Sequence, residues 1–441
     1  MAEMKDSGIE WIGEIPTDWD TKAIRFLILE HFSGAWGNDE KTDSDNNRIC
    51  MRIADFDYFR MQFKENIEYT IRNYTNAEIA NKTLRYGDLL IEKSGGGEKT
   101  PVGRTVVYRL NNNALFANFM DCIRLKEDEY NYEFAKYVFY SLYNNGITNL
   151  YYNKTTGIQN LSMQKYLREV KLPFPTLIEQ GKIADFLDEK CTEIDTLHSD
   201  IEKQIETLEE YKKSIITEAV TKGLDPDVEM KNSGIEWIGM IPKEWECKKI
   251  KYVTNLSRGI FGHRPRNDPR YYDGEYPFIQ TGDVACATKV ITNYSQTLNE
   301  LGKKVSKEFK KGSIALTIAA NVGDVSILGF NAYFPDSIMA VIPHKGINNM
   351  YFYYILSIMK SEFLRVAIIN TQLNLNVERV GNLYIPITFD KNKQKEIVKY
   401  LDKKCAEIDG AIEEKKEQLE TLEQYKKSLI YEYVTGKKEV K

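Results

Sequence analysis

Between residues 183 and 220 apolar side chains return every seven positions, at Leu187, Ile194, Ile201, Leu208 and Ile215, with Leu197 and Tyr211 three positions later. A period of seven held this long is the seam of a coiled coil, so the spacing predicts one long helix. The pattern returns at Leu401, Ile408, Leu422 and Leu429, with Ala411 and Tyr425 at the companion position and Lys415 interrupting. Each helix of roughly 38 residues would be about 57 Å long. Elsewhere the pattern is short and mixed. Apolar runs predict strands over 88–92, 104–108, 313–318 and 324–328, and aromatic-rich stretches predict helices over 132–143 and 350–363. Gly223, Asp225 and Pro226 end the first long helix. The closing GKKEVK reads as a frayed tail.

The two helical patterns belong to a larger repeat. MKDSGIEWIGEIPTDWDTKAI at 4–24 and MKNSGIEWIGMIPKEWECKKI at 230–250 agree at 14 of 21 positions, and 187–221 agrees with 401–435 at 20 of 35. The stretches between, about 25–175 and 251–389, hardly match, yet both close alike, on NLS then LPFP and on NLN then YIPI. A scaffold has therefore been duplicated around two diverged inserts that share one fold. The simplest packing sets the two helices against each other, antiparallel under a pseudo-two-fold. Four of the five tryptophans, Trp11, Trp19, Trp237 and Trp245, lie in the repeated boxes. They read as core anchors between box and frame, or as a docking face.

At 441 residues the chain has room for two to four domains. No apolar run reaches the ~18 residues of a membrane span, and the N-terminus lacks the layout of a signal peptide. Six scattered cysteines without a CxxC pair favour reduced thiols and a cytoplasmic setting over a disulfide framework. The net charge of −5 hides an uneven distribution. Residues 248–389 carry 17 Lys+Arg against 10 Asp+Glu, residues 21–170 carry 20 against 19, and residues 176–229 carry 6 against 15. The second insert can therefore present a basic face to phosphates, and the first only local clusters.

The specific motifs for catalysis are missing, although a D…ExK nuclease site is too degenerate for sequence to exclude, and the balance favours a protein that binds. SGGGEKT at 94–100 has the wrong spacing for a phosphate loop, no PP dipeptide supports a base-methylating loop, and 32–37 misses a cofactor turn by one residue. The four histidines are far apart in sequence, and none has a His or Cys at i+3 or i+4, so no catalytic residue and no metal site is assigned. Two segments suit binding. The first is Lys93, Ser94, Gly95, Gly96, Lys99, Thr100 and Arg104, where glycines bring backbone N–H groups close to a ligand and cations add charge. The second is Arg258, Arg264, Arg266, Arg270 and Tyr271, a composition that suits a nucleic-acid groove. Either segment could instead be a solvated turn.

The box GIEWIGEIPTDW, repeated as GIEWIGMIPKEW, resembles the start of a target recognition domain of a type I restriction–modification specificity subunit. EQGKIADFLDEKCTEID and the ETLEEYKKS and ETLEQYKKS blocks resemble the helix that follows such a domain, and GDLLIEKSGGGEKTPVGR is similar to a stretch of some of them. The second copy departs where Lys393-Gln394 replaces the expected Glu-Gln. The resemblance implies an α+β architecture: two globular α/β target recognition domains separated by two long antiparallel coiled-coil helices. The expected boundaries are 1–175 for the first recognition domain, 176–222 for the first helix, 223–389 for the second domain with its linker, and 390–441 for the second helix. The expected helix-pair or partner interface is Leu187, Ile194, Ile201, Leu208, Tyr211, Leu401, Ile408, Leu422 and Tyr425. The resemblance further implies that each domain reads one half of an asymmetric, bipartite double-stranded DNA site, the helices setting the unread gap. Two methyltransferase subunits and restriction subunits would be the partners, and they would carry S-adenosylmethionine, ATP and Mg. The rival from another class is a two-headed adaptor whose variable regions bind proteins.

Overall fold

A computed structural model describes residues 3–64, 67–110, 112–155, 158–369 and 373–440. The chain folds into two compact units, one formed by Met1–Lys203 with Lys415–Lys441 and the other by Gln204–Glu414. Each long helix contributes to both, so the units cut across the blocks expected from the sequence.

In the first unit, strands β1 (Ile28–Ser33), β2 (Leu89–Glu92), β3 (Thr105–Val107) and β4 (Met120–Leu125) form an antiparallel sheet in the order β3-β2-β4-β1. Strands β2, β3 and β4 are buried throughout; β2 and β3 are largely apolar, whereas β4 buries Asp121 and Arg124 in ion pairs. Helix α1 (Tyr132–Asn144) lays Phe134, Tyr137, Val138 and Leu142 into the core. A hairpin of β5 (Tyr152–Thr155) and β6 (Ile158–Leu161) follows. Helix α2 (Leu177–Lys222) begins earlier than its seam because Thr176 and Glu179 form a reciprocal cap.

The second unit repeats the plan. Strands β7 (Thr254–Arg258), β8 (Val290–Ile291), β9 (Ile314–Thr317), β10 (Val325–Leu328) and β11 (Ile338–Pro343) form a sheet in the order β7-β11-β9-β10-β8, antiparallel except for the β10–β8 pair. The helix expected over 350–363 is two helices, α3 (Asn349–Ser357) and α4 (Lys360–Val366). At the break the Ser357 hydroxyl donates back to the Tyr354 carbonyl at 2.8 Å, a local bond that competes with the helical ladder. The second long helix is α5 (Lys391–Val434).

Within each unit α2 and α5 pack antiparallel, and equivalent contacts recur 214 positions apart in the sequence. Lys426 meets Asp195 at 2.5 Å in the first unit, and Lys212 meets Asp409 at 2.6 Å in the second. Gln180 accepts the Asn131 backbone N–H at 2.8 Å and donates to the Pro175 carbonyl at 2.9 Å. Gln394 does the same for Asn348 and Thr388, at 2.8 Å each. The Lys393-Gln394 departure therefore keeps the side chain that clamps the start of the core helix. Asp188 accepts the Tyr137 hydroxyl and Asp402 the Tyr354 hydroxyl, both at 2.6 Å.

Leu187, Ile194, Leu401 and Ile408 are buried in the unit cores, Leu208 and Leu422 pack against them, and Ile201 is half-buried. Tyr211 and Tyr425 correct the expected helix-pair seam, being 56% and 55% exposed. From Leu208 and Leu422 onward the inward stripe steps by four, to Lys212 and Lys426, whose carboxylate partners draw them in and turn the preceding tyrosine outward.

The boxes close the units. In the first, Trp19 is buried and Lys437 donates to the Ile12 carbonyl at 2.7 Å and the Glu14 carbonyl at 3.1 Å, while Val440 packs on the core. The expected frayed tail is thus docked as far as residue 440, Lys441 lying outside the described residues. In the second unit Trp245 is buried, and a Cβ at Gly223, just past α2, would lie 3.5 Å from its ring. Trp11 and Trp237 pack at the margins of the same cores. Cys191 and Cys405 are small core residues, and among the described residues all six cysteines are free.

Candidate nucleic-acid interface

Strands β1 and β2 flank β4 and run in the same direction, so the loops that follow them leave one edge of the sheet. Strands β7 and β9 do the same around β11. The two segments selected from sequence lie at these edges in different units: the glycine-rich segment follows β2, and the arginine-rich segment follows β7.

The glycine-rich loop is tied down. Lys93 pairs with Asp121 at 2.6 Å and donates to Ser33 Oγ at 2.7 Å, and Arg104 pairs with the buried Glu92 at 2.8 Å. Ser94 Oγ donates to Asn160 at 2.6 Å, and the Gly95 and Gly97 N–H groups donate to the carbonyls of Gln159 and Thr100. A Cβ on Gly96 would sit 2.6 Å from the Val102 nitrogen. Gly96 therefore serves close chain packing, Gly95 supplies a positive φ of 106°, and the Gly95 and Gly97 donors are spent inside the unit. Lys99 and Thr100 stand exposed at its tip. A serine hydroxyl beside a lysine can signal a nucleophile and its base, but here the ammonium's partner is Asp121. Burial pushes the Asp121 carboxyl up, yet hydrogen bonds from His31, Lys93 and Ser33 outweigh it and hold the group below its ordinary value. Lys93 is thus committed to an ion pair. Among the described residues no three His, Cys, Asp or Glu side chains gather as a metal site.

The arginine-rich loop is organised by a residue that sequence reading missed. Asp336 pairs with Arg264 at 3.2 Å and with Arg266, and its backbone carbonyl accepts from Arg258 Nε at 2.7 Å. Farther along, Arg270 pairs with Asp268 at 2.7 Å and Tyr271 stacks on His263 at 4.1 Å. The Arg270 side chain and backbone N–H hold Asp268 well below the usual carboxylate range, with His263 adding to the effect. Asp336 lies 72 positions from Arg264, a separation at which no spacing rule links them. A signal for the shared edge was nevertheless present. Gly34-Ala35-Trp36-Gly37 and Gly259-Ile260-Phe261-Gly262 follow the first strand of each insert, a Gly-x-aromatic-Gly common to both. A Cβ on Gly34 would lie 2.3 Å from the Ala117 carbonyl oxygen, and one on Gly259 2.2 Å from that of Pro335. Each glycine lets its loop cross a turn of the neighbouring chain at backbone distance.

The geometry therefore defines a duplicated binding scaffold: one frame made twice, with unlike loops at the same edge of each sheet. The model of the type I restriction modification DNA specificity domain matches residues 38–207 and again 242–421, and the chain belongs to that family. It is 27% identical over 440 residues to the putative type I restriction enzyme MjaX specificity subunit of Methanocaldococcus jannaschii, covering 98% of this chain and 96% of that protein. The type I restriction enzyme EcoBI specificity subunit of Escherichia coli is 24% identical over 312 residues, 65% of this chain and 62% of its own. A solved chain from work on complex assembly and conformational transition of the type I R-M system shares the fold at TM-score 0.67 and 14% identity, covering 95% of this chain and 98% of its own.

Proposed function

We propose that this chain is the DNA sequence-specificity subunit of a type I restriction–modification complex, each unit reading one half of a split site. The observation that carries the reading is the repeated frame, kept in both copies down to its buried glutamine clamps, beneath loops at one sheet edge that share a Gly-x-aromatic-Gly and little else. Lys99, Thr100, Arg258, Arg264, Arg266, Arg270 and Tyr271 are the side chains of the original set that face a ligand. Lys93, Ser94, Gly95, Gly96 and Arg104 shape the loop that presents the first two. The chain acts by binding. Adenine methylation and ATP-dependent cleavage belong to methyltransferase and restriction subunits, which supply S-adenosylmethionine, ATP and Mg, and the exposed Tyr211 and Tyr425 offer those subunits a grip on the helices. Phosphate contacts supply most of the affinity, which falls with salt, and a few base-edge contacts supply the specificity.

The test is co-expression with the neighbouring methyltransferase in an unmethylated host, followed by a genome-wide map of N6-methyladenine. The expected result is one split motif with two unlike halves and a fixed gap. A stable complex that methylates no motif would favour the protein-binding adaptor. If the helices set the gap, four residues inserted into α2 near Lys203 change the tolerated gap or abolish methylation of the native site. An unchanged motif would remove that role.

A further inference from the structure

Both units carry the same short turn before the strand that lies between the two loop-bearing strands, β4 in the first and β11 in the second. In the first it is Ala117-Asn118-Phe119, whose Phe119 carbonyl accepts the Lys93 N–H at 2.9 Å. In the second it is Pro335-Asp336-Ser337, whose Ser337 carbonyl accepts the Ile318 N–H at 2.9 Å. The backbone roles match, and the side chains do not. Where the first unit holds up a half-exposed phenyl ring, the second places the Asp336 carboxylate beneath Arg264 and Arg266. The carboxylate side chain is 26% exposed and the arginine side chains 55% and 48%, so the acid faces inward and the guanidinium groups face solvent.

A guanidinium carries five N–H donors in a rigid plane. At Arg264, Nη1 donates to the Phe261 and His263 carbonyls at 2.6 and 2.8 Å and Nη2 to Asp336 at 3.2 Å, so the carboxylate completes a grip that the backbone begins, and the remaining donors point outward. This arrangement weakens a phosphate grip, because it cancels part of the positive charge that attracts the backbone. It strengthens base reading, because a bidentate contact to guanine needs two donors in a fixed direction, and the ordering cost of the side chains is met before binding. A loop that commits one acid to two arginines is built for geometry over charge. We propose that Asp336 is a specificity-determining positioning residue, which holds Arg264 and Arg266 in the orientation that reads base edges in one half of the DNA site. The inference rests on the reading of the chain as a DNA-specificity subunit.

Asp336→Asn separates this role from its rivals by sign. Loss of one negative charge beside the DNA should maintain or raise affinity for unrelated duplex and steepen its salt dependence. Discrimination against a changed base pair should nevertheless fall about tenfold or more, in one half of the site only. The experiment uses the purified complex with its methyltransferase and duplexes carrying the mapped motif or single changes in either half, with Arg264→Ala/Arg266→Ala run in parallel. The expected result is that both variants relax the same half and that adding Asp336→Asn to the double arginine variant changes discrimination no further. Unaltered discrimination in Asp336→Asn would overturn the proposal, as would relaxation of both halves together with a lowered melting temperature, which marks a folding brace. A wild-type complex with no split motif would instead sink the underlying reading, so the two failures are distinguishable.

Discussion

Asp195→Ala should destabilise the first unit by about 3–5 kcal/mol, the cost of stranding a buried charge. Its partner Lys426 has a side chain with no solvent exposure, held by Asp195 at 2.5 Å and the Phe59 carbonyl at 2.6 Å, over the Phe59 ring at 4.0 Å. Without the carboxylate the ammonium keeps one neutral acceptor and a ring face, which do not replace its hydration. The repeat supplies an internal control. Asp409 and Lys212 make the same pair at 2.6 Å, but their side chains are 37% and 26% exposed. Water can hydrate Lys212 once Asp409 is gone, so Asp409→Ala should cost about 1 kcal/mol or less. Hydrogen exchange on the full-length chain in denaturant resolves the two units: early opening of β1, β2 and β4 in the first variant, near-native protection of β9 and β11 in the second. Equal losses would mean that burial is not what separates the pairs. Adding Lys426→Met to Asp195→Ala should recover most of the loss, since an apolar side chain of similar length suits the same site.

The contrast shows which parts of the molecule its sequence discloses. The long helices announce themselves because a seven-residue period survives many turns. Their starts are written locally too, in Thr176-Leu177-Ile178-Glu179, a capping signature that extends α2 ahead of its seam. The four expected strands contain β2, β3, β9 and β10, whose residues are mostly apolar; β4 is buried throughout yet is not legible, because Asp121 and Arg124 interrupt its run. What the period conceals is its own drift. A heptad drawn through Leu208 places Tyr211 on the seam, whereas the helix turns Lys212 there, a choice decided by an aspartate on the other helix. The binding segments follow the same rule. Their cations are visible in sequence and their partners are not, since Asp121 lies 28 positions from Lys93 and Asp336 lies 72 from Arg264. Local chemistry can nominate a charged loop. Only tertiary pairing divides it into cations committed to the fold and cations left to face a ligand.

Gly34→Val and Gly259→Val should each erase one half of the recognition motif, and opposite halves. At Gly34 a Cβ would press within 2.3 Å of the Ala117 carbonyl oxygen and 2.5 Å of that of Phe116. At Gly259 it would lie 2.2 Å from the Pro335 oxygen and 2.7 Å from the Phe334 Cβ. The obstacles are backbone or backbone-proximal atoms, so no rotamer change relieves them and the strand end must lift off the turn. In the second unit that turn carries Asp336 and hence the arginine array; in the first it carries Phe119, whose carbonyl anchors the start of the glycine-rich loop. Overpacking of this kind costs about 1–3 kcal/mol, at times more, a strain each unit can bear within its own core while its reading edge is lost. Mapped methylation should therefore become degenerate in one half with Gly34→Val and in the other with Gly259→Val, the gap unchanged. Gly97→Ala is the matched control, because nothing lies within 4 Å of the added Cβ, and it should leave the motif intact. If both valine variants spared the full motif, the sheet edges would not be where this chain reads DNA. If one variant degraded both halves, the two units would not read independently.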